Sequence, residues 1–321
     1  MKVRNARPMK KNVLSILDIK GEIEKIIDLG IRLKHDVKAG KQLKYLQGKT
    51  LAMIFERQST RTRVSFEVGM TLLGGHAIFL TGSELGIGKR ESPKDVALVL
   101  SRYVDAIIYR TIDEKNLQEL AENATIPVIN GLDRFEHPCQ ILADLMTIKE
   151  KKGRLHELNF VFIGDGDDNL THSYLLGCNL VGMNVTIISP KRYWPKEQFL
   201  QKAREIATQK NHTVTVTDDI NAVTQADVVA TDTWVSFWYD NERAQRLMDL
   251  KNYTITQDVM SKAKPDAIFI HCMPIYYGEE VTKEVAYSPQ SVIIEEAENR
   301  MWVQMALLTI LLHWPNVDRK D

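Results

Sequence analysis

Apolar residues recur at three- and four-residue spacing over residues 14–38 (LSILDIKGEIEKIIDLGIRLKHDVK), the period of a helix with one buried face. An apolar run of strand length follows at 50–56, and helical spacing returns over 62–73. Residues 77–81, 105–110 and 127–131 read as further strands, with a helix predicted at 93–103. A helix after His137, through QILADLMTIKEKKG, leads into a second series. There the short apolar runs at 159–164, 185–189, 226–231, 267–271 and 291–295 are expected as buried strands, and a last, largely apolar helix at 299–313 is expected to pack back on the first half. Strands alternating with helices predict an α/β protein of two domains, each a parallel sheet flanked by helices. The boundary falls near residue 150, giving domains 1–150 and 151–321.

The length agrees, since 321 residues at about 150 per domain make two. Forty-two Lys and Arg balance 42 Asp and Glu. A net charge of zero argues against a nucleic-acid binder that works by bulk positive charge. No run approaches the ~18–20 apolar residues that span a bilayer, so no membrane role is expected. The basic N-terminus lacks an apolar signal core and a cleavage site; its charge could suggest an organelle transit segment, but it is short and runs straight into structured-looking sequence. The three cysteines, Cys139, Cys178 and Cys272, are far apart with no CxxC pair, which speaks against disulfides and structural zinc. The expected compartment is the cytoplasm.

Ligands of open α/β sheets bind beyond the carboxyl ends of the strands. After the first strand come Ser59, Thr60, Arg61 and Thr62, hydroxyls and a guanidinium where a helix opens. Free N–H groups, the helix dipole and arginine all favour a phosphate there, although Ser and Thr are also ordinary helix caps. Arg110 ends another strand. His137, before Pro138, is held extended and could present its imidazole, with Gln140 just beyond; a lone histidine is more often structural. The 164–169 segment GDGDDN lacks a GxGxxG spacing. Asp232, Trp234 and Ser236 follow one strand of the second series; His271, Cys272 and Met273 follow another, and Glu296 to Arg300 open the last helix. Any one cluster is unremarkable. Together they suggest a cleft between the halves that binds an anionic substrate on one side and a zwitterionic or cationic one on the other, a two-substrate transferase using a phosphate compound. The residues alone do not name the group transferred.

The motifs Phe55-Glu56-x-x-Ser59-Thr60-Arg61-Thr62-Arg63, His137-Pro138-Cys139-Gln140, Asp232-x-Trp234-x-Ser236, His271-Cys272-x-Pro274 and Glu296-Ala297-Glu298-Asn299-Arg300 occur in the order of the ornithine branch of the transcarbamoylase family. The resemblance runs from about residue 46 to 312. It implies a transcarbamoylase-like fold and transfer of a carbamoyl group from carbamoyl phosphate to the δ-amine of ornithine, giving citrulline and phosphate. It implies no metal and no organic cofactor, and a homotrimer or a multiple of trimers. By resemblance Ser59, Thr60, Arg61, Thr62 and Arg110 hold carbamoyl phosphate, joined at the carbamoyl group by His137, Gln140, Cys272, Met273 and Arg300. Asn169, Asp232, Ser236 and Phe237 hold ornithine. Arg110, His137, Asp232 and Cys272 are the expected catalytic residues.

Three positions depart from the family's pattern. Ser236 is followed by Phe237, Trp238 and Tyr239 where Met-Gly is usual, Asp168 replaces an Asn, and Gly86 aligns with a residue, often Gln, that reaches carbamoyl phosphate from a neighbouring subunit. Drift among ornithine enzymes accounts for these. An aromatic loop could instead favour putrescine or an N-acylated ornithine; against putrescine, the chain ends soon after the last helix, without that subfamily's longer C-terminal helix. A ligand-binding paralogue without catalysis is the third reading.

Overall fold

The computed structural model describes residues 10–313; the N-terminal residues 1–9, with Lys2, Arg4 and Arg7 of the basic N-terminus, and the tail 314–321, which bears on the putrescine reading, lie outside them. Two compact units emerge, the first from the described parts of Met1–Leu14, Asp28–Gly131 and Met301–Asp321, the second from Ser15–Ile27 and Leu132–Arg300.

In the first unit α1 (Ile23–Lys38), which belongs to it from Asp28 onward, leads to β1 (Thr50–Phe55), α2 (Thr60–Leu72), β2 (His76–Thr81), the single turn α3 (Gly82–Leu85), α4 (Pro93–Tyr103), β3 (Ala106–Arg110), α5 (Glu114–Asn123) and β4 (Val128–Leu132), whose last residue already counts with the second. The sheet order is β2-β1-β3-β4, with β1 parallel to both neighbours; Phe55 pairs with Thr81 and with Arg110, so the strand ends that carry the candidate loops lie level. Strands buried on both faces read as continuous apolar runs, which is how LAMIF and AIIY were visible.

In the second unit come α6 (Pro138–Lys152), β5 (Asn159–Ile163), α7 (Asn169–Leu180), β6 (Asn184–Ile188), α8 (Glu197–Lys210), β7 (Val214–Thr217), β8 (Val228–Ala230), α9 (Arg243–Leu250), α10 (Gln257–Lys262), β9 (Ile268–Ile270), α11 (Lys283–Ala286) and α12 (Ile293–His313). The sheet, β7-β6-β5-β8-β9, is parallel throughout. Pro138 opens α6 and Gly153, at φ 74°, closes it. Helices α6 and α7 touch at Gly177, where a Cβ would lie 2.5 Å from Ile141 Cγ1. From Met301 onward α12 belongs to the first unit and lies on α2, where a Cβ on Gly69 would be 3.0 Å from Met305 Cγ. The last helix thus packs on the first unit, as its apolar face predicts.

Two predicted elements are corrected. The helix expected from residue 14 begins instead as a 3-10 turn, Ile16–Ile19, and α1 starts only at Ile23. Ser15 Oγ accepts from Leu17 N–H and Asp18 Oδ2 from Ser15 N–H, local bonds that compete with an unbroken helix, and Gly21 follows. The strand expected at 291–295 is a single bridge, Phe269 to Ser291, after which α12 is already under way. Its β-branched run resembles a strand locally, but Glu295 and Glu296 suit the first turn of a helix.

Candidate active site

In the first unit Ser59 caps α2. Its Oγ accepts from Thr62 N–H at 3.4 Å and donates to Thr62 Oγ1 at 3.1 Å, fixing two hydroxyls at a helix start whose dipole favours an anion. Thr60 is exposed, Arg61 half-buried and Thr62 buried. Arg63 faces away, over the Phe79 ring at 3.8 Å and paired with Glu67 at 3.1 Å. Glu56 holds the strand ends together. Its carboxylate accepts from Tyr109 Oη at 2.9 Å, Thr111 Oγ1 at 2.9 Å and Ile112 N–H at 2.7 Å, while its own N–H donates to Arg110 O at 3.0 Å. Three bonds to one carboxylate lock the β3 loop, with Arg110, to the loop that carries Ser59 to Thr62.

In the second unit Asp232, after β8, and Cys272, after β9, come together. Cys272 Sγ donates to Asp232 Oδ1 at 3.3 Å, and Thr233 N–H donates to the same oxygen at 2.7 Å. Burial, reinforced by Asp232 and Glu296, pushes the Cys272 thiol well up, so it stays protonated and acts as a donor rather than a nucleophile. Burial also raises the Asp232 carboxyl, with His271 opposing it. His271 was in the motif but not among the expected ligand contacts. Met273 N–H donates to its Nδ1 at 2.9 Å, so Nε2 carries the proton and donates to Glu280 Oε1 at 3.2 Å. Ligand atoms of Asp232, His271 and Cys272 lie within 4.8 Å of one another. A metal there would have to displace either the Met273 N–H or the Glu280 partner, and the thiol is protonated. The trio is therefore better built for hydrogen bonds than for an ion.

Gln140 and Arg300 meet on α6 and α12. Arg300 Nη1 donates to Gln140 Oε1 at 2.5 Å, and Gln140 Nε2 donates to Asp144 Oδ1 at 2.7 Å and Glu296 Oε1 at 3.0 Å. His137 is buried before α6, its N–H donating to Ser173 Oγ at 2.8 Å. Ser173 in turn donates to the carbonyl of Asn169, the first residue of α7, at 3.0 Å. Met273 has a φ of 58°, a strained value for a side chain larger than glycine.

The departures find local reasons. Asp168 is the N-cap of α7, its Oδ2 accepting from Leu170 N–H at 3.1 Å, a task Asn and Asp share. Gly86 closes α3 at φ 64°, where a Cβ would lie 2.8 Å from Arg90 Cβ. Phe237 lies tilted against Trp238 with ring centroids 3.8 Å apart, and Tyr239 lies 3.8 Å under the Arg246 guanidinium, which is itself ion-paired with Asp165. The side chain of Ser236 in that loop has a buried Oγ with no partner among the described residues.

Sequence reading passed over Asp144, Glu280 and Glu56 as contributors. Glu280 lies in a polar turn without periodicity. For Asp144 the signal was present in the four-residue spacing from Gln140.

Two parallel α/β units, one with hydroxyls gathered at a helix start and the other with a carboxylate–thiol pair, place the chain in the class of two-domain parallel α/β proteins. The profile described as aspartate/ornithine carbamoyltransferase, carbamoyl-P binding domain, matches residues 11–150, and the one described as the Asp/Orn binding domain matches 156–311. An ornithine carbamoyltransferase of Methanoculleus marisnigri is 47% identical over 95% of this chain and 97% of its own. A catabolic ornithine carbamoyltransferase of Thermoplasma acidophilum is 45% identical over 95% and 99%. The ornithine carbamoyltransferase structure from Pyrococcus furiosus superposes with a TM-score of 0.92 at 41% identity, covering 96% of this chain and 99% of that one. The chain belongs to the aspartate/ornithine carbamoyltransferase family and is a carbamoyltransferase. Among the described residues no helix is long and apolar enough to cross a membrane.

Proposed function

We propose that the protein transfers the carbamoyl group of carbamoyl phosphate to the δ-amine of L-ornithine, giving L-citrulline and phosphate. The Asp232–Cys272 pair at 3.3 Å carries this reading: a carboxylate raised by burial, beside a protonated thiol, suits an approaching amine. On the first unit Ser59, Thr60, Arg61 and Thr62 take the phosphate, with Arg110 reaching phosphate and carbonyl oxygen. On the second, His137, Gln140, Cys272, Met273 and Arg300 take the carbamoyl group, and Asn169, Ser236 and Phe237 join Asp232 around the amino acid. In functional terms residues 1–150 serve carbamoyl phosphate and 151–321 ornithine.

The δ-ammonium, with an ordinary value near ~10.4, must first lose a proton, for which a raised Asp232 is a better acceptor than an ordinary carboxylate. The freed lone pair attacks the carbamoyl carbon, an oxyanion develops, and Arg110, His137 and the Thr62 hydroxyl stabilise it. The C–O bond to phosphate then breaks, the attacking nitrogen's second proton passing to the departing phosphate as hydrogen phosphate, with Arg61 and the α2 dipole carrying the remaining charge. The exposed valines of α2 support self-association, which the family resemblance makes a homotrimer or a multiple of trimers, and the cytoplasm is the proposed compartment.

Phosphate release is measured with ornithine, putrescine, lysine, N-acetylornithine, N-succinylornithine and aspartate in parallel. Dominant turnover with ornithine is expected; preference for another amine moves specificity to the Phe237–Trp238 loop, and silence with all of them overturns the proposal. Asp232→Ala should lower kcat with ornithine by about 10²–10⁴ while leaving carbamoyl phosphate binding nearly intact. Equal loss of both would remove Asp232 from the amine side.

A further inference from the structure

Gln140 is aimed by a pair of carboxyl groups that the reaction itself does not use. Asp144 is fully buried on α6 and Glu296 fully buried on α12. Both accept from the one Nε2 of Gln140, at 2.7 and 3.0 Å. Glu296 has a second duty, since its Oε2 accepts from His271 N–H at 2.8 Å, at the start of the His271–Met273 segment. Asp144 Oδ2 is buried without a close hydrogen bond among the described residues, the Tyr174 hydroxyl being the neighbouring donor that eases its charge. Its carboxyl faces that of Glu296, with Tyr174 and Cys178 of α7 beside it and Asp232 and Cys272 beside Glu296. Arg300, reached through Gln140, is the cation paired with this network. Two facing acceptor oxygens in a dry interior repel unless a proton lies between them.

We propose that Asp144 and Glu296 share one proton and act together as positioning residues, holding the Gln140 amide so that its Oε1 aims Arg300, and holding the His271–Met273 backbone through Glu296. The proposal rests on the functional reading above, in which Gln140, Arg300 and Met273 contact the carbamoyl group. The charge arithmetic supports it: one proton on the pair leaves one negative charge against the one positive charge of Arg300. Burial raises Asp144 to about 6 and Glu296 well above the carboxylate range, with the hydrogen bonds from Glu296, Gln140 and Tyr174 and then the charge of Arg300 opposing the rise at Asp144.

The two carboxyls are not equivalent, and that gives the test. In Asp144→Asn the amide oxygen still accepts from Gln140 and the new N–H₂ donates to Glu296, which then holds the negative charge and accepts from all three donors. In Glu296→Gln one of the two accepting oxygens becomes a donor, so either Gln140 Nε2 or His271 N–H meets another N–H. Asp144→Asn should keep kcat and both KM values within about threefold. Glu296→Gln should raise KM for carbamoyl phosphate and lower kcat by about ten- to a hundredfold, with KM for ornithine little changed.

Infrared difference spectra of the resting enzymes at pH 7.5 read the proton directly. In the wild-type-minus-Asp144→Asn difference the bands of other protonated carboxyls such as Glu136 cancel, and a protonated-carboxyl band should remain, because Glu296 is ionised in the variant. Absence of that band from the difference, or equal kinetic damage in the two folded variants, overturns the proposal. The band needs no turnover, so an enzyme inactive with ornithine would count against the functional reading while leaving the shared proton to be judged by the spectrum. Thermal melts of both variants separate damage to the network from loss of the fold.

Discussion

Glu136 directly precedes His137, with 6% of its surface exposed, and its carboxyl accepts from Ile16 N–H at 3.1 Å. Burial lifts it from the ordinary 4.5 to about 8, with Ser15 and Ile16 opposing and Asp133 and Asp18 adding to the rise. Between those two values the folded chain holds a proton that the unfolded chain has released. The contribution to stability is therefore complete below the unfolded value and lost as pH rises through about 8. The loss amounts to at most about 5 kcal/mol, at about 1.4 kcal/mol for each tenfold gain in proton affinity on folding. Glu136→Gln keeps an acceptor for Ile16 and cannot ionise. Melting curves between pH 5 and 8.5 should fall more steeply for the wild type than for the variant; parallel curves would show that the carboxyl is ionised throughout. At this scale the sequence was legible where chemistry gathers in motifs, as with Ser59, Thr62, Asp232 and Cys272. It was opaque where a polar residue serves another polar residue. Asp144 stands one helical turn from Gln140, but only three-dimensional packing brings Glu296 to the same amide and Glu280, in a turn, to His271.

Among the elements, those with a clear apolar period or a fully buried strand were predicted. Helices α5 and α8 were not, because EKNLQELAEN and EQFLQKAREIATQK bury only narrow stripes in largely polar sequence. Helix α7 was missed for the opposite reason: it is buried on nearly every side, so NLTHSYLLGCNL shows no polar face. Strand β7, VTVT, is a half-exposed edge of four residues. The turn α3 was also invisible, yet it explains Gly86. The Gly86 N–H donates to Gly82 O at 2.8 Å in a left-handed cap, and Arg90 N–H returns to Gly86 O at 2.7 Å. Gln, frequent at this position in the family, would strain the backbone and crowd Arg90 Cβ. Gly86→Gln should cost about 1–2 kcal/mol and lower Tm by about 3–6 °C in calorimetry. An unchanged or higher Tm would mean the α3 turn rearranges freely and that the glycine has no conformational reason to be there.

For the whole molecule, two parallel sheets were legible because alternating strands and helices admit few other arrangements, but what covers the outer surface was not. Val64 and Val68, four residues apart on one face of α2, are 49% and 41% exposed, and Ile78 on the neighbouring strand β2 is 40% exposed. Isolated apolar side chains at a surface need no explanation; an aligned pair on a helix, with a third residue on the strand it packs against, marks a face that association would cover. Assembly by rotational symmetry would use that face once per subunit. Val64→Asp with Val68→Asp places two carboxylates there without touching a core residue. Light scattering should give three times the chain mass, or a multiple of that, for the wild type, and a smaller mass for the double variant at the same concentration. Activity should fall with the mass, since the resemblance places part of the carbamoyl phosphate contact in a neighbouring subunit. If the double variant keeps the wild-type mass, assembly uses another face; if the wild type is itself a monomer at full activity, each chain completes its own site. In this protein the second outcome has a local basis to be weighed, because Gly86, at the position from which a neighbour would reach, has no side chain to contribute.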